Sequence, residues 1–197
     1  MLESGRLTRH GGALTVESAG QGYVVHEGCD HIFFVGFLGA GKSTLARNLS
    51  GLFHRPCVDT DRLVERALGK SIACVFAEDG EDAFRDEETR VLKGLTNRKS
   101  LLVSCGGGIV ERPENAGLMR QMGTVVFLDG DLSDSLRQIR SRERRPDLGS
   151  ARQAERLYRH RYPLYQAAAD ITIDIRNKTF EQVALESGRL LWEKGLL

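Results

Sequence analysis

The stretch GFLGAGKST, residues 36–44, constrains this chain more than any other. It fits the pattern G-x-x-x-x-G-K-[ST], and its surroundings agree with that pattern. The run HIFFV directly before it reads as a buried strand, and GKSTLARNLSGLF after it has apolar residues at helical spacing. A strand, a glycine-rich turn and a helix start together make an anion site. Unpaired backbone N–H groups point at the ligand there, and the helix dipole favours negative charge. Gly39 and Gly41 let successive N–H groups curve around a phosphate without a Cβ in the way. Lys42 is placed to reach the β- and γ-phosphates, and the Ser43 hydroxyl suits Mg²⁺. The loop from Gly39 through Ala40, Gly41, Lys42 and Ser43 to Thr44 is therefore a nucleoside-triphosphate site. It does not name an acceptor.

Beyond that loop the chain alternates strand-like and helix-like segments. HIFFVGF, RPCVDTD, SLLVSCGGG, TVVFLDG and DITIDI read as strands, with helical patterns between and after them. This alternation predicts a three-layer α/β/α fold on a five-stranded parallel sheet, spanning residues 31–197. Two helical pieces with a break near Gly80 are expected in SIACVFAEDGEDAFRDEETRVLKGLTN. Residues 1–30 are glycine-rich and stand apart as an N-terminal extension with no assigned chemistry. Within them ALTVESAGQGYVV fits two short strands around a turn, or equally a flexible leader.

Composition then excludes several partner classes. Lys plus Arg number 28 against 27 for Asp plus Glu, so no overall field draws the chain to nucleic acid or a membrane. No apolar run approaches the ~20 residues that span a bilayer, and no secretory signal pattern opens the sequence. The four cysteines, Cys29, Cys57, Cys74 and Cys105, show no C-x-x-C pair, which argues for reduced thiols and against zinc. A cytoplasmic monomer is the resulting expectation. Arginines crowd into LRQIRSRERRPDLGSARQAERLYRHRYPLY, which fits either polyanion binding or a mobile segment that handles phosphate.

Several short motifs narrow the acceptor. In VDTD, Asp59 and Asp61 lie at the carboxyl end of the second strand, where ligands of open α/β sheets bind. Strand-like alternation would point both carboxylates the same way, one toward hydrated Mg²⁺ and one toward an acceptor hydroxyl. The competing reading is that one of them caps the helix RLVERAL. Arg85 sits in the acidic GEDAFRDEE, where a solvated ion pair is as good a reading as a functional one. Pro146 ends the preceding helix pattern, so Arg145 belongs to a loop, the place from which phosphoryl transfer takes a charge-covering arginine. Three glycines, Gly106 to Gly108, follow the strand LLVSC and imply that something approaches the backbone closely.

Taken together, GFLGAGKST, VDTD, GEDAFRDEE, CGGG, RRPDL and RYPLY resemble the shikimate kinase family in order, spacing and strand-end placement. The resemblance implies a P-loop kinase with a mobile lid. Its activity would be transfer of the ATP γ-phosphoryl group to the 3-hydroxyl of shikimate, with one Mg²⁺. It implies Lys42, Asp61 and Arg145 as catalytic residues, and Ser43 with Asp59 on the metal side. Asp61, Arg85, Gly107, Gly108 and Arg161 would hold shikimate, the two arginines clamping its carboxylate. Arg145 would reach the phosphates from the lid, and Lys178 would lie on the adenine side. Arg137 and Arg140 are the alternatives for a further adenine contact. The resemblance also makes Asp129 a strand-end residue instead of a metal ligand.

The lid departs from the family's usual R-P-L-L, reading RPDL here. A gluconate-kinase-like enzyme would carry His-Pro after the second strand, which VDTDRLVE lacks. A non-catalytic P-loop switch would have no use for two acceptor-side arginines and a lid arginine together.

Overall fold

Every residue of the strand His31–Val35 is buried, which requires cover on both faces. Phe33 and Val35 pack into one cluster with Leu92, Met119 and Tyr165. Ile32 and Phe34, pointing the other way, pack with Leu45, Leu49 and Leu191. Period-2 alternation thus feeds two cores from one strand. Each fully buried Phe or Leu here contributes about 1.5–3 kcal/mol relative to exposure. The strand is the centre of a three-layer sandwich.

The computed structural model describes residues 6–10, 13–18, 21–26, 29–133, 135 and 151–197. In chain order its strands and helices are β1 (Arg6–His10), β2 (Ala13–Ser18), β3 (Gln21–His26), β4 (His31–Val35), α1 (Lys42–Phe53), β5 (Cys57–Asp59), α2 (Thr60–Leu68), α3 (Ile72–Glu78), α4 (Gly80–Lys93), β6 (Leu102–Ser104), α5 (Pro113–Met122), β7 (Gly123–Asp129), α6 (Ala151–Ala168), β8 (Ile171–Asp174) and α7 (Phe180–Glu193). Strands β4 to β8 form a five-stranded sheet in the order β5-β6-β4-β7-β8. All its pairings are parallel. The fold class expected from strand–helix alternation is the one observed.

Since β4 lies between β6 and β7, the carboxyl ends of these strands open a crevice at the switch in strand order, the place where such sheets bind ligands. On one side of it, α2, α3 and α4 are held together by Val64, Val75 and Phe84. The expected break between α3 and α4 is at Gly80, whose φ of 85° suits glycine. Strands β1 to β3 form a separate antiparallel meander. Two of them match one of the two readings open for ALTVESAGQGYVV, and β1 adds a third strand. Among the described residues no helix is long and apolar enough to cross a membrane.

Candidate active site

Between β4 and α1 the glycine-rich loop turns on Gly39 and Gly41, with φ of 80° and 83°. A Cβ on Gly41 would meet nothing within 4 Å, so its glycine answers to the left-handed backbone and not to space. No side chain caps the N-terminus of α1, which leaves its first N–H groups to the loop's own concavity. Lys42 is buried, and its Nζ donates to the carbonyls of Gly36 at 2.7 Å and Phe37 at 2.9 Å. The ammonium is thereby stretched across the loop. Ala40 is buried and Thr44 exposed.

Ser43 Oγ donates to Asp59 Oδ2 at 2.8 Å and shares a hydrogen bond of 2.9 Å with Ser104 Oγ at the end of β6. The other oxygen of Asp59, Oδ1, accepts from the Arg62 N–H as the N-cap of α2. Capping α2 and contacting Ser43 are therefore not alternatives, since one carboxylate does both. The strand-like alternation expected across Asp59 and Asp61 is corrected: β5 stops at Asp59 and α2 begins at Thr60. Asp61 stands in the first turn of that helix. Thr60 is fully buried, and its Oγ1 accepts from the Gly106 N–H at 2.8 Å, tying the helix start to the glycine run.

Side chains of the chain itself come closest to that run. A Cβ on Gly106 would lie 2.3 Å from Asp61 Oδ1 and 2.8 Å from Glu88 Oε1. One on Gly108 would lie 2.2–2.5 Å from the guanidinium of Arg85, and one on Gly107 3.6 Å from Arg161 NH1. The glycines thus make room for Asp61 and Arg85, which the sequence picked out for an acceptor, and for Glu88, which it did not. Tyr165, whose hydroxyl donates to the Gly107 carbonyl, fixes the run from α6.

Arg85 is 6% exposed, so the solvated-pair reading of GEDAFRDEE does not describe it, although its i−4 partner Glu81 is real. Its NH1 donates to Glu88 Oε2 at 2.9 Å and its NH2 to Glu81 Oε1 at 3.0 Å. Arg161, 2% exposed on α6, donates from Nε to Glu111 Oε1 at 2.6 Å. Arg85 NH2 lies 3.6 Å from that same oxygen. Two arginines from different helices therefore converge on one point. Burial pushes the Glu88 carboxyl up to about 7, against the pull of Arg85. Its Oε1 and Arg85 Nε are buried without a hydrogen-bond partner.

Sequence reasoning missed Ser104, Glu88 and Glu111. Glu88 had a signal, its i+3 spacing from Arg85 on one helix; Glu111 had none, being 50 residues from Arg161. Lys178, ahead of α7, pairs with Glu186. Asp129 ends β7 as expected, accepting from the Tyr162 hydroxyl and facing Arg176. Arg145 lies outside the described residues, as do Arg137 and Arg140.

For a metal, Ser43 Oγ, Asp59 Oδ2 and Ser104 Oγ gather three oxygens with a single carboxylate. Among the described residues no group of three or more His, Cys, Asp or Glu could hold an ion. Such a sparse, all-oxygen set fits Mg²⁺ held mainly by phosphates and water.

The shikimate kinase family model matches residues 38–191. A shikimate kinase of Dehalococcoides mccartyi is 38% identical over 159 residues, covering 80% of this chain and 90% of the relative. One of Dictyoglomus turgidum is 34% identical, covering 78% of this chain and 92% of its own. Among solved structures, the shikimate kinase of Acinetobacter baumannii in complex with shikimate superposes with a TM-score of 0.80 at 32% identity. That match covers 86% of this chain and 96% of the other.

Proposed function

We infer the reaction from a plain premise: the chain belongs to the shikimate kinase family. The protein transfers the γ-phosphoryl group of ATP to the 3-hydroxyl of shikimate, giving shikimate 3-phosphate and ADP. One observation carries the choice of acceptor. Arg85 and Arg161 converge beside the glycine run and Asp61, which is the place and the donor geometry for a carboxylate next to hydroxyls. Guanidinium forks match a carboxylate better than an ammonium can.

In this reading the N–H groups of Gly39, Ala40 and Gly41, with Lys42 and Thr44, hold the triphosphate. Lys42 is already stretched over the loop and supplies its counter-charge. Ser43 and Asp59 would hold Mg²⁺, which when bound neutralises charge on the β- and γ-phosphates. Asp61 accepts the hydrogen bond of the reacting hydroxyl and orients it toward the phosphate. Gly107 and Gly108 admit the acceptor, and Arg85 and Arg161 grip its carboxylate. Arg145 covers the phosphates and Lys178 flanks the adenine. We place the enzyme in the cytoplasm as a monomer. The four unpaired thiols suit a reducing compartment.

A coupled ADP-release assay with Mg²⁺-ATP and shikimate, gluconate or no acceptor tests this. Turnover is expected with shikimate alone, and Lys42→Ala should abolish most of it. Equal turnover with gluconate would move the enzyme to another sugar-acid class. Acceptor-independent ATP hydrolysis would remove the kinase reading.

A further inference from the structure

We propose that Glu111 is a positioning residue for the acceptor clamp. It holds Arg161 by its side edge, so that the end nitrogen NH1 stays turned to the glycine run, and it offsets the charge of two adjacent guanidinium groups. The inference rests on the clamp reading above.

Glu111 closes a short 3₁₀ turn, Ile109–Glu111, directly after the glycines. Its N–H donates to the Gly108 carbonyl at 2.9 Å, and Ile109 and Val110 are buried, so the backbone beneath it is anchored. The side chain itself is 22% exposed. One oxygen, Oε1, faces guanidinium groups of two helices: Arg161 of α6 at 2.6 Å and Arg85 of α4 at 3.6 Å.

The atoms involved separate positioning from competition. A guanidinium offers Nε on its side and NH1 and NH2 at its end. Glu111 accepts from Arg161 Nε, while Arg161 NH1 lies 3.6 Å from where a Gly107 Cβ would stand. The side edge is taken and an end nitrogen lies by the glycine run. An internal mimic of the acceptor would instead sit on the end nitrogens. Two cations that share one oxygen at 2.6 and 3.6 Å also repel each other, and a carboxylate between them lets both stay. Glu81 and Glu88 hydrogen-bond to Arg85 from its own helix, whereas Glu111 hydrogen-bonds to Arg161 of α6.

The test uses the full chain with Glu111→Gln and Glu111→Asp. Gln keeps the shape and an oxygen for Arg161 Nε but loses the charge, and Asp keeps the charge at shorter reach. Shikimate KM should rise roughly tenfold in the Gln variant, the scale of weakening one charge-assisted bond, and less in the Asp variant. The kcat at saturating shikimate and the ATP KM should hardly move. An acceptor analogue lacking the carboxylate should be used poorly by the parent and be indifferent to both substitutions. A fall in shikimate KM would make Glu111 a competitor, and an unchanged KM a bystander; either overturns the proposal. So would a parallel loss in kcat and ATP KM, or a collapsed thermal midpoint in both variants, which would mark a fold residue. If the parent uses the analogue as readily as shikimate, the clamp reading itself fails, a result visible without any Glu111 variant.

Discussion

His31 shows how one side chain couples the sheet to pH. It is buried at the start of β4, its Nδ1 accepting from the Leu101 N–H at 3.1 Å and its Nε2 bonding to the Leu95 carbonyl at 3.0 Å. An acceptor at one nitrogen and a carbonyl partner at the other define the neutral ring with the proton on Nε2. Burial lowers its pKa below the ordinary 6.5, since the charged form loses hydration and would aim a second N–H at the Leu101 N–H. The sign follows. The unfolded chain binds this proton more readily, so stability is fully present above 6.5 and is lost as pH falls toward the lowered folded value. We expect the thermal midpoint to drop on acidification through that window, and a His31→Gln variant to lack that part of the slope. Identical pH profiles for the two would refute it.

At the scale of elements, two glycines next to the sheet carry opposite consequences. Gly123 begins β7 opposite His31 of β4, and a Cβ there would stand 2.0 Å from the His31 carbonyl oxygen and 2.6 Å from its nitrogen. Backbone cannot yield without separating two central strands. Gly123→Ala should therefore lower the thermal midpoint strongly, by overpacking of about 1–3 kcal/mol or more. Gly108 meets only the far end of Arg85, at 2.2–2.5 Å, and its φ of −104° is open to any residue. A guanidinium can swing aside at small cost to the fold. Gly108→Ala should keep the thermal midpoint and raise shikimate KM, with the ATP KM unchanged. Thermal scans beside steady-state kinetics separate the two, and a Gly108→Ala protein with parental KM would detach Arg85 from the acceptor.

Across the whole molecule, the residues we propose for phosphate and acceptor all fall between Gly36 and Lys178, while the family model begins at residue 38. Strands β1 to β3 pair only with one another among the described residues. The kinase sheet is nonetheless tied to the residues just before it: the Cys29 carbonyl accepts from the Ser100 N–H, and Arg55 pairs with Asp30. A truncation that removes residues 1–28 spares both ties. It should retain kcat, both KM values and the thermal midpoint. Loss of turnover in a folded truncation would give the extension a part in the site.

What the sequence determined by itself was whatever is local. The phosphate loop is contiguous, and its glycine dihedrals, its lysine and the following helix start are all written within GFLGAGKST. The central strands β4, β6 and β7 were equally legible, because burial on both faces demands short unbroken apolar runs. The tertiary structure decided what depends on distance through space. Where β5 ends at Asp59, the period of the chain changes from 2 to 3.6, and that single boundary turned Asp59 into both a cap and a partner of Ser43. Glu88 and Asp61 meet over Gly106, and Glu111 reaches Arg161 across 50 residues, only because α2, α4, α6 and the turn after β6 surround one crevice. Dihedral preference and periodicity are properties of neighbours along the chain. The meeting of charges from separate helices is set by how the layers pack, and no local pattern records it.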